Sequence, residues 1–222
     1  MRCARYSRAV SKNLNPEKAL IFRITHRANV PWIMANGLHC ANSAVSDPGF
    51  VPIGNADLIG RRKVKSMPPP YGGLLSDYVP FYFTPFSPML LNIVTGYSGV
   101  TKQAKRDIVI LVSSIWKLQE QGVRYVFSDR HAYLATARFS ADPANLSWID
   151  WSLLQARDFK RDPNDPGKME RYEAEALAHG HVPTAAFVGA YAYDDASAAQ
   201  ITSIVAQAGS AMRVIANSKM FF

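Results

Sequence analysis

The segment RDIVILVSS, residues 106–114, constrains this chain more than any other. It is a near-continuous apolar run with the composition of a central β-strand, one that needs material packed on both faces. Further β-rich runs supply its partners: ALIFRIT (19–25), DYVPFYF (77–83), VRYVFS (123–128), VPTAAFVGAYAY (182–193) and the closing AMRVIANSKMFF (211–222). Pro80 lies in the second of these and predicts an edge position or a bulge. Short helices fall between them. Asn29 reads as an N-cap with Pro31 in the first turn, Val30, Ile33, Met34 and Leu38 share one face, and Gly37 suits the exit. SIWKLQEQG (114–122) reads as a helix ending at Gly122. MERYEAEALAH (169–179) has high helix propensity. ASAAQITSIVAQAG (196–209) is amphipathic, with Ile201, Ile204, Val205 and Ala208 inward. Residues 41–75 form a long irregular segment rich in Gly, Pro, Ser and Asn, interrupted by LIGRRKVK, and residues 157–168 form an exposed, turn-rich loop. Strands and helices interleave without a regular βαβ rhythm, so the expected class is α+β rather than doubly wound. Residues 1–18 read as a basic tail and 19–222 as a single domain.

Hydrophobic residues make up 48% of the 222 and charged residues 19%, enough apolar material for a packed core and too much for a disordered chain. Lys and Arg number 25 against 17 Asp and Glu, a formal charge of +8 that favours polyanionic partners, nucleic acid foremost. With Cys3 and Cys40 alone, a disulfide framework is excluded and a reducing cytoplasm is expected. No stretch approaches the ~20 apolar residues of a membrane helix, so no membrane partner is expected. The first residues, MRCARYSRAVSKNLNPEKAL, are basic but lack the apolar segment of a secretory signal. Walker, GxGxxG, HExxH, CxxC and GxSxG motifs are missing, which weighs against P-loop hydrolases, Rossmann enzymes, zincins, thiol redox proteins and serine hydrolases. Among the five histidines, His179 and His181 would fall on different faces of a helix, a poor metal pair, and no metal is expected.

A dispersed set of residues remains: RITH (23–26) at a strand end, Arg61-Arg62 in the irregular segment, the aromatic block that follows, SDRH (128–131) and Glu175. Taken singly, each has an ordinary structural reading. Together the chain resembles the DarT family of DNA ADP-ribosyltransferase toxins. The resemblance is carried by IFRITHRANVPWIMANGL (21–38), IGRRKVK and PPPYGGLLSDYVPFYFTPFSPML (59–90), VFSDRHAYLATARF (126–139), IDW (149–151) and AEALAHGHVP (174–183), and runs from about residue 20 to the C-terminus. It implies the ADP-ribosyltransferase fold, an α+β domain with a split NAD-binding sheet and short flanking helices. It also implies NAD as co-substrate, transfer to a base in single-stranded DNA, and a macrodomain antitoxin that removes the mark. By the same resemblance Glu175 is the catalytic glutamate and Arg62 the catalytic arginine. The strand Arg23, Ile24, Thr25 and His26 holds the nicotinamide riboside, and the stretch from Trp32 through Cys40 to Arg62 folds over the cofactor. The loop between about His131 and Glu175 recognises the substrate. Two positions depart from the family: Arg23 stands where many members carry histidine, and Ala-Leu-Ala-His after Glu175 is less β-like than the usual bulky run. The resemblance places Glu175 at the start of a strand, against the helix propensity of its surroundings.

These residue types suit the reaction. Loss of nicotinamide builds positive charge on the ribose, which a carboxylate near the 2′-hydroxyl stabilises, and an arginine fork matches a pyrophosphate or an anionic base. A thymine-type N3–H is weakly acidic, so a base and a cation assist its attack. Arg157, Lys160, Arg161, Lys168 and Arg171, with Trp148, Trp151, Phe159 and Tyr172 interleaved, resemble a cationic and aromatic groove for single strands, and Arg130 and His131 are candidates to face the same strand. For Trp148 core packing is the stronger reading. An NAD glycohydrolase, a non-catalytic nucleic-acid-binding module and a protein-directed transferase are the alternative readings.

Overall fold

The computed structural model describes residues 12–222, so Cys3 and the basic positions Arg2, Arg5 and Arg8 lie outside the described residues. Packing begins ahead of the first strand. Leu14 is fully buried, its carbonyl accepts from Gln155 Nε2 at 2.8 Å, and the Glu17 carbonyl accepts from the Trp116 indole at 2.8 Å.

The chain then runs β1 (Leu20–His26), α1 (Val30–Asn36), β2 (Leu38–His39), α2 (Ala56–Arg62), β3 (Tyr78–Tyr82), α3 (Pro88–Thr95) and β4 (Ile108–Ser114). It continues through α4 (Ile115–Glu120), β5 (Tyr125–Ser128), β6 (Phe139–Ser140), α5 (Trp151–Ala156), α6 (Lys168–Arg171), β7 (Glu175–His179) and β8 (His181–Val182). It closes with β9 (Gly189–Ala192), α7 (Asp195–Gln207) and β10 (Arg213–Ala216). Among the described residues, eight strands form one sheet in the order β10-β9-β4-β1-β3-β7-β5-β6, and β2 pairs with β8 apart from it. All seven residues of β4 are buried, and the strand pairs with β1 in full antiparallel register from Leu20↔Ser114 to His26↔Ile108. Burying its Ile and Leu side chains contributes roughly 1.5–3 kcal/mol apiece.

The sheet is divided in the middle. β3 pairs with β7 along five positions, from Tyr78↔His179 to Tyr82↔Glu175, but β1 meets β3 at Phe22↔Tyr82 alone. Beyond that point the two strands part, and the facing flanks carry no ladder. Pro80, expected at an edge or bulge, therefore sits in an internal strand. Its carbonyl accepts from Arg23 Nη1 at 3.2 Å on the β1 side, so its missing N–H faces the gap as well, where it breaks no ladder.

Local chemistry explains the other departures. Asn29 precedes α1 but caps nothing, because its amide bridges Thr25 Oγ1 (3.1 Å) and the Val51 backbone (2.9 and 2.8 Å). The irregular segment 41–75 contains α2, capped by Asn55 accepting from the Leu58 N–H at 2.9 Å, and this helix buries no side chain. Residues 169–179 give only the short helix α6, and Glu175 begins a strand held between β3 and β5. The run 182–193 breaks into β8, a turn of 3-10 helix and β9, and the closing segment keeps only four strand residues before another 3-10 turn. In α7, Ile201 and Val205 point inward as expected, whereas Ala208 lies beyond the helix end and is exposed.

Candidate active site

Glu175 opens β7 with 1% exposure, opposite Tyr82 in the ladder and next to the point where β1 and β3 separate. Its Oε1 accepts from the Ala132 backbone N–H at 3.0 Å and from Arg62 Nη1 at 3.1 Å. Nη1 also lies 2.9 Å from Oε2, an ion-pair contact without a directed hydrogen bond. Arg62 reaches this position from the C-terminal end of α2, 113 residues away in sequence. The His131 ring stands beside the pair, with Nδ1 accepting from the Tyr133 N–H at 3.1 Å and lying 3.7 Å from Glu175 Oε1. Burial lowers the His131 pKa, so the imidazole is neutral at pH 7 and carries its proton on Nε2.

Among the described residues, the buried side-chain polar atoms without a hydrogen-bond partner are Arg23 Nε, Arg62 Nη2 and Glu175 Oε2. Orphaned buried donors and acceptors are costly, and their convergence at one place marks where a polar, anionic ligand would satisfy them. Burial pulls the Arg23 guanidinium below its ordinary pKa and Arg62 adds to this, while Tyr82 and Glu175 oppose it. Burial, reinforced by Glu175 and Glu173, holds the Tyr82 phenol well above its usual range. It stays protonated and donates to Met89 Sδ at 3.4 Å. Glu173, two positions before Glu175, is raised to about 8, first by burial and then by the Glu175 and Glu170 carboxylates. Two guanidinium groups, one unpartnered carboxylate oxygen and the unpaired flank of β1 fit a dinucleotide pyrophosphate and ribose hydroxyls.

The family model described as "DarT: ssDNA thymidine ADP-ribosyltransferase, DarT" matches residues 22–222. The chain belongs to the DarT family. A "DNA ADP-ribosyl transferase" of Escherichia coli O127:H6 (strain E2348/69 / EPEC) is 47% identical over 212 residues, 96% of this chain and 97% of that one. The structure of Thermus sp. 2.9 DarT in complex with ADP-ribosylated ssDNA superposes with a TM-score of 0.84 at 31% identity, covering 93% of this chain and 98% of that one. The same protein in complex with NAD+ gives 0.81, covering 93% and 99%. The α+β, ADP-ribosyltransferase-type core expected from the sequence is the fold this chain adopts.

Of the residues singled out in the sequence, the structure brings Arg23, Arg62, His131 and Glu175 together and places the others outside this group. Ile24 and Thr25 are buried in β1, and His26 Nδ1 accepts from the Ala28 N–H at 3.2 Å. Trp32 and Cys40 belong to a separate group around β2: the Trp32 ring meets His39 edge-on at 5.6 Å, His39 stacks on His181 at 4.3 Å, and the Cys40 N–H donates to the Gly180 carbonyl at 2.7 Å. Among the described residues, no three His, Cys, Asp or Glu side chains converge as metal ligands, and no helix is long and apolar enough to cross a membrane. Of the DarT-type DNA-contact candidates, Lys160 and Arg161 are exposed, and His131 sits at Glu175 itself. Arg130 contacts Asp129 (3.4 Å) and Glu170 (3.5 Å). The Arg157 guanidinium lies 3.6 Å over the centre of the Phe86 ring. Lys168 is buried against Asp158 at 2.7 Å and Arg171 reaches Asp150 and Asp165, so both tie residues 157–168 to the domain. Trp148 is half-buried with Arg138 stacked at 4.9 Å. Sequence reasoning missed Tyr82, the Ala132 N–H and Glu173. Only Glu173 left a trace, as a second acid beside Glu175.

Proposed function

We propose that this protein transfers ADP-ribose from NAD to a thymidine-type base in single-stranded DNA, releasing nicotinamide, as the toxin of a toxin–antitoxin pair whose antitoxin is a macrodomain protein. The observation that carries the reading is the buried Arg62–Glu175 pair, with an orphaned polar atom on each partner and a third on Arg23, beside the divided sheet. Arg62 uses Nη1 on Glu175, leaving Nη2 for a phosphate or for the base as it becomes anionic; Arg23 Nε is a second donor of the same kind. Glu175 Oε2 is the acceptor for a ribose hydroxyl and for the departing proton. The bond from C1′ to the nicotinamide nitrogen breaks and its electron pair leaves with nicotinamide. The bond from C1′ to the base nitrogen forms, and the base N3 proton passes to Glu175. Lys160 and Arg161 on the exposed 157–168 loop supply charge toward the strand. Ile24, Thr25, His26, Trp32 and Cys40 remain proposed cofactor contacts and His131 a proposed strand contact, while the carboxylates beside Arg130 and the Phe86 ring under Arg157 engage those two side chains within the domain.

The test is incubation with NAD and a mixed-sequence oligonucleotide, followed by mass spectrometry. One added ADP-ribose on a thymidine, lost in Glu175→Ala while NAD binding persists, is expected. Consumption of NAD with no labelled oligonucleotide would instead make the protein a glycohydrolase.

A further inference from the structure

Residues 157–168 are cross-linked within themselves. The Lys160 N–H donates to Asp158 Oδ1 at 3.1 Å and the Asn164 N–H to Asp162 Oδ1 at 2.9 Å. The buried Lys168 ammonium closes the base of the loop, on Asp158 Oδ2 at 2.7 Å and the Lys160 carbonyl at 3.0 Å. A loop tied in this way turns as one body, so its direction is set by the contacts that join it to the domain.

Arg171 clasps one end of the loop, on Asp150 and Asp165, and rings hold the other. The Phe159 ring lies 4.6 Å from that of Tyr172 and 5.2 Å from that of Phe222, and Phe222 meets Phe86 edge-on at 6.1 Å. Tyr172 is fully buried three residues before Glu175, and its hydroxyl donates to the Leu153 carbonyl at 2.8 Å. Phe222 is itself fixed from behind. The Lys105 ammonium donates to its backbone oxygen, and the neighbouring Phe221 is fully buried against the Tyr193 ring at 5.8 Å. Phe159 and Phe222 are half-buried, whereas Phe86 and Tyr172 are enclosed, so the first two form a rim between core and loop.

We propose that Phe222 is a positioning residue for the acceptor strand: by packing on Phe159 it fixes the angle at which the loop leaves the domain, and with it where the exposed Lys160 and Arg161 meet the strand's phosphates. The inference rests on the transferase reading given above. Aromatic pairs prefer particular ring orientations, so this contact defines a direction as well as a distance. The same ring stack includes Tyr172, on the segment that leads into Glu175, so loop and catalytic strand are held in one frame. A small swing of the loop would therefore misplace the strand without disturbing the Arg62–Glu175 pair.

The test uses the full chain with NAD and a single-stranded oligonucleotide, below the Tm of every variant. Phe222→Ala is expected to raise the KM for oligonucleotide about 10-fold, leaving kcat and the KM for NAD within about 2-fold of wild type. It should also weaken the salt dependence of strand binding, although it removes no charge. Phe222→Tyr keeps the ring and should restore both. In a chain already carrying Lys160→Ala and Arg161→Ala, Phe222→Ala should add nothing, because the cations it places are gone. If Phe222→Ala does not fold, Phe159→Leu removes the same ring contact from the loop side and carries the same expectations. An oligonucleotide KM equal to wild type would overturn the inference. So would a rise that persists in the Lys160 and Arg161 double variant, or a joint loss of kcat and NAD affinity, either of which makes Phe222 a packing residue alone. If the wild-type protein labels no oligonucleotide, the transferase reading fails and the inference with it; labelling by wild type with unaltered variants ends the inference alone.

Discussion

A carboxylate as enclosed as Glu175 is tolerable only with partners, and it has a backbone N–H and a guanidinium. The division of labour within that guanidinium matters, because Nη1 is committed to Glu175 while Nη2 is unpartnered. Arg62→Lys keeps the charge but cannot engage the carboxylate and donate to a ligand from a planar fork. It is expected to lower kcat for DNA modification by about 10²–10³-fold with little change in Tm. Wild-type turnover in this variant would confine Arg62 to a charge-neutralising role. Glu173 gives a different signature. Its carboxyl has an ordinary value of 4.5 but is held at about 8 in the fold, so between those pH values the folded state binds a proton that the unfolded chain has lost. Stability therefore falls as pH rises through this window, by at most about 1.4 kcal/mol per pH unit, and levels off above it. Glu173→Gln should remove that slope and be more stable than wild type at pH 8. Urea unfolding at pH 5.5 and 7.5 reads it, and a slope that survives in the variant must come from another group.

At the level of elements, the turn from α1 into β2 depends on Gly37. Its φ is 79°, and a Cβ there would sit 2.5 Å from the Val182 carbonyl and collide with the His181 ring, the pair of residues that forms β8. Gly37→Ala is expected to cost about 2–4 kcal/mol, combining backbone strain with displacement of β8. A Tm within a degree of wild type would show that this corner yields freely. The elements also divide by how well they could be read. β1 and β4 were legible because their side-chain patterns match their burial, β4 being apolar throughout and buried throughout. β7 was not legible from propensity, since Glu-Ala-Leu-Ala favours helix and only pairing with β3 and β5 holds it extended. α2 was missed for the opposite reason: with no buried residue it has no apolar period, and its polar sequence reads as loop. Pro80 misled because the edge it signals lies inside the sheet, where β1 and β3 part.

Across the whole molecule, the site was legible only by family likeness. Spacing and composition give no reason for Arg62 and Glu175 to meet over 113 residues, and the sheet order that joins them is set by non-local pairing. The charge of +8 pointed to a polyanion, but not to which cations would meet it. The structure sorts them. Arg130 and Arg171 face carboxylates, Lys168 is buried against Asp158, and Arg157 stacks on Phe86, whereas Lys160 and Arg161 project from the 157–168 loop. Neutralising two phosphates, by Lys160 and Arg161, gives a slope of log affinity on log salt of about −1.4 for a single strand, so affinity should fall about 7-fold between 50 and 200 mM salt. Lys160→Ala with Arg161→Ala should reduce that slope by about 1.4, because two released counterions are lost. Arg157→Ala should leave the slope unchanged and lower Tm instead, since its guanidinium covers an aromatic ring of the core. Fluorescence anisotropy of a labelled single strand across a salt series separates these outcomes. Equal slopes for the double variant and wild type would place the phosphate contacts on another face of the molecule.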